Sequence, residues 1–399
     1  MHVWFLGQSA ISKVLGLIDM LRRLLVLTCV TLSLQCCDAR ADDAISIATG
    51  DAKGPKQPQA AVAADGTVYV VFGSGEEVSF CSSADNGKSF STPAVACRVP
   101  NLSLGMRRGP RITAFGDSLI ITAIGGKQGK GKDGDVLAWR SNNRGETWSG
   151  PVQVNDKNDS AREGLHAMTV SGTGEAWCTW LDLRNQRTEL YASKSVDAGA
   201  SWSRNQLVYR SPEKSICECC HPSIAIHDKT IQVLFRNSID GNRDMFLATV
   251  IQDGGEINVN SRQVGNLHWK LNACPMDGGM LSMDAKGLVS TVWRRGNEIF
   301  IATDDKSDER LIGTGEQPWI TSTKDGPIVV WSARRGGELK MKVDSDEEVH
   351  TLATNAYDAV VTAEPVHGNN VYVFWEQTGG GRSSILAKAV KVDSLRSKN

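Results

Sequence analysis

Five short polar segments of this chain carry arginine between apolar, strand-like runs. They are Leu181–Arg187 (LDLRNQR), Arg236–Asp244 (RNSIDGNRD), Arg294–Asn297 (RRGN), Ala333–Gly337 (ARRGG) and Glu376–Arg382 (EQTGGGR). A lone surface arginine is ordinarily solvated. Several converging on one mouth make an anion site, because a guanidinium fork meets two oxygens of a carboxylate, sulfate or phosphate at once. The candidate set for such a site is Arg108, Arg111, Arg184, Arg236, Arg243, Arg294 and Arg334, with His166 and Asp182 beside them. Glu163, Asp277, Tyr357 and Asp358 fall in the same kind of segment. Carboxylates beside guanidinium groups suit acid–base work on a glycosidic bond. They equally suit salt bridges between packed sheets, and both readings stand.

A second chemistry competes for the same segments. Cys219-Cys220-His221 lies in CECCHP, Cys274-Pro275-Met276-Asp277 in ACPMDGG, and His166 in AREGLH. Thiolate, imidazole and thioether groups within reach suit copper(I) or zinc(II), so Cys219, Cys220, His221 and Cys274 are candidate ligands, although no cofactor is firmly implied. The alternative is disulfide bonding, for example Cys217 or Cys219 with Cys274. An oxidising compartment is expected. Met20-Leu-Arg-Arg opens a short apolar run, and Ala39-Arg40-Ala41 supplies the small residues that a signal peptidase reads. Residues 1–41 are therefore expected to be an export signal, with Met20 as the true start and cleavage after Ala41. The apolar run is about a dozen residues, short of the roughly 20 that span a bilayer. The mature protein is expected in the periplasm or outside the cell. Seven cysteines follow the cleavage point. The odd number leaves one unpaired or metal-bound, and Cys81 is expected to pair with Cys97.

The elements that position these groups are strands. Seven similar apolar starts recur, at Gln57, Gly109, Leu165, His221, Gly278, Gln317 and Asp358. Each is followed by a second strand (TVYVVF, SLIITAI, EAWCTWL, TIQVLFR, LVSTVWR, PIVVWSA, NVYVFWE) and a third (EVSFCSS, DVLAWRS, ELYASKS, DMFLATV, EIFIATD, ELKMKVD, SILAKAV). Six copies continue into a fourth. The last has none before the chain ends, and AISIATG (44–50) ahead of the first copy supplies one.

Three copies also share an octapeptide: SADNGKSF (83–90), SNNRGETW (141–148) and SVDAGASW (195–202). Asp or Asn with Gly suits a turn of positive φ, the Ser and Asp side chains can bond turn amides, and the aromatic can plug the layer between sheets. The unit resembles the Asp-box, or bacterial neuraminidase repeat, of sialidase-like β-propellers, with Asn143 and Phe90 as mild departures. The expected fold is all-β: one propeller domain over residues 42–395 with a short tail at 396–399. Its blades are four-stranded and antiparallel, seven in number or alternatively six, and the N-terminal strand closes the last.

In a four-stranded meander the boxes fall on one face, while the links between blades and the second-to-third turns fall on the other, near the axis. Sialidase-like enzymes hold a sugar carboxylate with three arginines and use a Tyr nucleophile assisted by Glu, with a separate Asp as acid/base. The resemblance makes Tyr357, Glu163 and Asp277 the catalytic candidates. It makes Arg111 the leading carboxylate ligand, through Gly109-Pro110-Arg111-Ile112, where Thr113 replaces the family's Pro. It implies an exo-sialidase-type hydrolase, with a non-catalytic glycan- or protein-binding propeller and a metal- or redox-linked propeller as alternatives. The expected partner is an anionic carbohydrate or glycoconjugate. The chain's 44 Lys and Arg balance 45 Asp and Glu, which argues against a general nucleic-acid binder.

Overall fold

Runs such as Val68–Phe72 and Trp177–Asp182 are buried at every residue rather than alternately. A strand reads that way when apolar layers cover both of its faces, which is the position of a middle strand in a sheet stacked between two others. A computed structural model describes residues 44–253, 256–303, 309–364 and 369–395. The expected export signal and C-terminal tail lie outside the described residues. No helix among the described residues is long and apolar enough to cross a membrane.

After β1 (Ile45–Asp51) come five four-stranded antiparallel sheets. The first holds β2 (Lys56–Val62), β3 (Val68–Ser74), β4 (Glu77–Ser83) and β5 (Ala94–Arg98). The second holds β6 (Arg111–Phe115), β7 (Ser118–Gly125), β8 (Asp135–Ser141) and β9 (Ser149–Gln153). The third holds β10 (His166–Val170), β11 (Ala176–Asp182), β12 (Glu189–Ser195) and β13 (Gln206–Tyr209). The fourth holds β14 (Ser223–His227), β15 (Thr230–Arg236), β16 (Met245–Asp253) and β17 (Glu256–Val264). The fifth holds β18 (Met280–Met283), β19 (Val289–Arg295), β20 (Glu298–Thr303) and β21 (Arg310–Thr314). The remaining strands are β22 (Glu316–Thr323), β23 (Gly326–Ser332), β24 (Gly337–Val343), β25 (Val349–Ala363), β26 (Asn370–Gly379) and β27 (Arg382–Lys391).

These last six form one sheet with β1, in the order β1-β27-β26-β25-β24-β23-β22. Five blades therefore stand as separate four-stranded sheets, in place of the seven, or six, expected from the sequence. The cause is β25. It runs unbroken for 15 residues, pairing with β24 through its first half and with β26 through its second. No Gly or Pro breaks the run between Val349 and Ala363, and the positive φ of Asn355 and Asp358 bends it without ending the pairing. As expected, β1 pairs antiparallel with β27, so the first and last described strands are neighbours in one sheet. The first strands touch in succession, β2 to β6, β10, β14, β18, β22 and β25, and β25 returns to β2. That closed ring makes the fold an all-β propeller.

Apolar layers fill the space between sheets. Tyr69 and Val71 of β3 pack with Ile121 of β7 and Trp139 of β8, and Trp177 of β11 packs with Ile231 and Val233 of β15. The Ser-x-Asp/Asn-x-Gly turns add local fasteners. Ser83 Oγ donates to Asp85 Oδ1 at 2.8 Å and accepts the Gly87 N–H at 2.9 Å. Ser141 and Ser195 repeat both bonds. Hydrogen bonds from Ser89 above all hold the Asp85 carboxyl down to about 2. The aromatic at the end of each turn reaches the preceding sheet. Trp148 meets Phe80 edge-on with centroids 5.3 Å apart, and Phe90 meets Phe374 at 6.1 Å. Gly145 permits this approach: its φ is +91°, and a Cβ there would stand 2.4 Å from the Phe80 ring.

The expected Cys81–Cys97 pair does not form, and both thiols are free and buried. Cys81 points into the layer with Val70 and Phe72, whereas Cys97 points with Val78 and Phe80 into the layer on the other side of the same sheet. Opposite faces of a pleated sheet cannot be bridged at disulfide length. Burial pushes both thiols up to about 12.

Candidate functional site

At the axis, three first strands begin with the same irregularity. Register shifts interrupt β2 after Lys56, β22 after Glu316 and β25 after Tyr357. Gln57, Gln317 and Asp358 at these bulges hold φ of 56°, 55° and 47° and are buried. A bulge of this kind re-aims a side chain. Here the result is a polar plug in the ring. Gln57 donates its backbone N–H and side-chain amide to Glu376 Oε1 at 2.6 and 3.1 Å. Gln317 donates its N–H to Asp277 Oδ2 at 2.8 Å and its amide to Asp358 Oδ1 at 3.2 Å. Arg107 lies across the centre, donating to the carbonyls of Ala359 and Gln317 at 2.8 and 2.6 Å, with its guanidinium 4.9 Å from the Trp319 ring centre.

The candidate arginines have separate roles. Arg111 is buried and donates to the carbonyls of Gly109, Pro110 and Arg107, and burial lowers it to about 10. Arg236, also buried, donates to the carbonyls of Asp277, Arg243 and Arg294. Arg294 pairs with Asp277 at 3.2 Å and with Glu316 at 3.1 Å. Arg184 is clasped by Asp182, Asp156 and Asn205. The Asp182 carboxylate also accepts from Ser160 and Trp180. Arg243 is half-buried and Arg334 exposed. Arg108 is half-buried, its Nε donating to the Glu163 carbonyl at 2.7 Å.

Two carboxyls of the plug resist ionisation. Burial raises Glu376 from 4.5 to about 7, and the Asp358 charge adds to the rise. Burial also raises Asp277, against the pull of Arg294, and its Oδ1 has no hydrogen-bond partner. The two histidines are pushed the other way. His166 shares a 3.1 Å hydrogen bond with Thr122 and His221 a 3.3 Å contact with the Met280 sulfur. Burial first, then nearby arginine, holds both well below the ordinary range, so both are neutral. Tyr357 is half-buried with Arg335 5.6 Å above its ring, and Arg335 in turn pairs with Asp358 at 3.1 Å.

Two concavities flank this plug. The larger, about 710 Å³, lies inside the ring of first strands. Met168, Ile224, Met280 and Trp319 line it, and Asp284, Lys286, Lys324 and Glu364 stand around its first-to-second-strand turns, the side that carries the Ser/Asp turns. The smaller, about 410 Å³, is formed by Asn101, Ser103, Arg108, Lys130, Arg162 and Glu163. Gly164 (φ +73°) brings its floor together, since a Cβ there would stand 2.7 Å from Ser103. Burial raises the Glu163 carboxyl and Glu218 adds to the rise, while Arg108 and Arg162 oppose it.

The cysteines converge as a group. Cys217 Sγ lies 3.6 Å from Cys219 Sγ and 3.4 Å from Cys220 Sγ, and all three are buried. Hydrogen bonds from Cys219 and Cys220 draw the Cys217 thiol down, and burial holds Cys220 up. Cys274, exposed, adjoins Cys219, whose hydrogen bond raises it to about 11. His221 is apart from this group, stacked on Trp319 with centroids 6.0 Å apart. The structure thus joins Cys219, Cys220 and Cys274 to Cys217 rather than to His221.

Sequence reasoning missed Arg107, Gln317 and Glu376 in the plug and Lys130 and Arg162 in the smaller pocket, and it placed Cys217 only as a disulfide candidate, not among the metal ligands. A signal existed for the plug. Gln-Pro opens two of the seven starts, at Gln57-Pro58 and Gln317-Pro318, and both glutamines take the same role.

No protein-family model matches this sequence, and no curated protein matches it. Solved structures do. The α-L-arabinanase of Penicillium chrysogenum, complexed with arabinobiose, matches with a TM-score of 0.55 at 10% identity, over 89% of this chain and 99% of that one. A protein of unknown function from Dyadobacter fermentans matches with 0.52 at 13%, over 90% and 99%. The NanB sialidase of Streptococcus pneumoniae gives 0.47 at 13%, over 89% of this chain and 71% of that one. At such identities a likeness speaks for the fold alone, and by the first two comparisons this chain has a β-propeller fold similar to that of the arabinanase.

Proposed function

We propose that this chain is an exported, carbohydrate-acting propeller that takes an acidic sugar in the pocket of Arg108, Lys130, Arg162 and Glu163. One observation carries the reading: this pocket on the arginine side gathers three cationic side chains and one carboxyl that burial makes harder to ionise. The cations match a sugar carboxylate or sulfate, and the Glu163 carboxyl stands beside them where it can hydrogen-bond a sugar hydroxyl. The arabinanase, whose structure holds a disaccharide, lends the reading support as a propeller of the same fold.

Binding is the function the geometry supports best. The exo-sialidase form of the proposal adds Tyr357 as nucleophile, Asp277 as acid/base and Arg111 among the carboxylate ligands. Asp277 favours it, because burial raises that carboxyl above its ordinary value, as an acid/base group needs. Arg111 speaks against it, because its guanidinium faces three main-chain carbonyls.

The test is a glycan array bearing sialylated, sulfated, uronic-acid and neutral glycans, read with fluorescent protein, together with fluorophore release from a sialoside. Acidic glycans are expected to be retained. Replacing both Arg108 and Arg162 by Ala is expected to weaken retention at least about tenfold, since a charge-assisted hydrogen bond contributes roughly 1.5–3 kcal/mol. Equal retention of neutral glycans, or no effect of the double substitution, refutes the pocket. Turnover lost in Tyr357→Phe establishes the sialidase form, and binding without turnover removes it.

A further inference from the structure

The convergence of thiols just before the fourth sheet shares no residue with the lining of the sugar pocket. Cys217, Cys219 and Cys220 lie on one four-residue stretch just before β14, and their sulfurs all fall within 4.8 Å of one another. The stretch is anchored by the Cys217 N–H, which donates to the Arg236 carbonyl at 3.0 Å. Cys274, from the segment leading into β18, contacts Cys219 but stands outside this close group, so it must move inward to serve as a fourth ligand, and the Met276 side chain packs against the trio. Arg236 and Arg243 are near enough that their positive charges act on Cys217, although the Arg236 guanidinium itself bonds carbonyls.

Spacing distinguishes the alternatives. A disulfide sets two sulfurs about 2.05 Å apart, and none is formed here, every one of these cysteines being free. Four thiolates around a tetrahedral zinc at about 2.3 Å have edges of roughly 3.8 Å. The observed 3.4 and 3.6 Å lie close to that edge, so a small expansion admits an ion. Burying several thiolates together needs positive charge among them. A metal ion supplies it from within, and the two arginines supply it from outside.

We propose that Cys217, Cys219 and Cys220, completed by Cys274, form a thiolate site for one soft d10 ion, zinc(II) or copper(I). Sulfur donors select these ions over hard cations. Binding releases the thiol protons and ties the segments before β14 and β18 together beside the pocket that contains Glu163. Glu218, within the thiol stretch, already acts on the Glu163 carboxyl.

The experiment uses the full chain, purified under reductant without oxygen and offered zinc(II) or copper(I) separately. Metal content is counted by mass spectrometry, and native thiols are mapped by alkylation. One ion per chain is expected, with all four thiols protected from alkylation while it is bound. The Cys97→Ala control, in a distant layer, is expected to behave as wild type. Cys217→Ser is expected to weaken retention by at least about 100-fold, the upper end of what losing even an outer-shell partner does. Alkylation protection in the wild type needs no variant, so a Cys217→Ser protein that fails to fold leaves the test intact. Uptake of zinc or of copper supports the site, and the two arms identify the ion. A reduced chain that takes up neither, or ions bound with these four thiols still reactive, overturns it. Glycan retention by the metal-free chain separates this outcome from that of the sugar pocket.

Discussion

Glu376 is the buried group whose removal speaks most directly to how the axis is built. It is 5% exposed, accepts two hydrogen bonds from Gln57 and stands near the Asp358 charge. Its carboxyl is raised from 4.5 to about 7, by burial first and by Asp358 second. The folded protein therefore binds this proton more tightly than the unfolded chain does. The contribution to stability is intact below pH 4.5, falls as the pH rises towards 7 and is level above it. A displacement of that size corresponds to about 3 kcal/mol lost by pH 8. For a domain of roughly 350 residues, with an unfolding entropy of about 2.1 cal/mol/K per residue, that is about 4 °C in Tm. Glu376→Gln keeps an oxygen for Gln57 and removes the charge. Urea unfolding of both proteins at pH 5 and pH 8 isolates the group, since every other titration is common to the two. The variant is expected to match wild type within about 1 kcal/mol at pH 5 and to exceed it by about 3 kcal/mol at pH 8. Parallel behaviour of the two proteins across this range refutes the reasoning.

Three further outcomes follow from the same geometry. Arg107→Met leaves the carbonyls of Gln317 and Ala359 without their donor, and a loss of about 3 kcal/mol is expected in the urea midpoint, in the range for breaking a buried charged network. At the third Ser/Asp turn, Asp197→Asn is expected to be nearly neutral, because Asn143 already accepts the equivalent Ser hydroxyl and Thr147 N–H. Asp197→Ala, which removes the acceptor for Ser195 and Ser201, is expected to destabilise by about 1 kcal/mol, and calorimetry of the pair checks both. Denatured protein prepared without reductant is expected to alkylate fully at Cys81 and Cys97, as peptide mass spectrometry will read. A peptide linking the two contradicts the assignment of these residues to opposite faces.

Much of the strand order was legible because its cause is local. Apolar runs bounded by Gly, Asp and Asn mark each strand, and the Ser/Asp turns announce themselves through side chains that bond within five residues. The closure of β27 by β1 was legible too, because a copy without a fourth strand leaves an edge that needs a partner. What was not legible depends on pairing across long distances. Nothing between Val349 and Ala363 reveals that one strand serves two neighbours, so the merged sheet went unread. Cys81 and Cys97 looked like partners from adjacent strands, yet the face of each is fixed by register, which shifts by one residue between Val78 and Ser79. The arginines were located on the right segments, but whether a guanidinium faces solvent or a carbonyl is decided by the bulges, which no single segment displays.

That last point bears on what arginine is for in this fold. Where the first strands meet, bulges at Gln57, Gln317 and Asp358 interrupt the ladders, and buried main-chain carbonyls there and in the neighbouring links lack strand partners. A buried carbonyl needs a donor. A guanidinium offers five donors in one plane, and Arg107, Arg111 and Arg236 use theirs on eight carbonyl contacts between them. (Arg236 reaches the Asp277 carbonyl through two nitrogens, so nine hydrogen bonds serve these contacts.) Arginine recurs on this side, then, first because the backbone demands it. The cations left to meet a ligand are those the backbone does not engage fully, and Arg108, Lys130 and Arg162 are three of these gathered in one pocket with Glu163. A ligand site in such a propeller is better sought where arginine is half-exposed beside a desolvated carboxyl than where arginine is most concentrated.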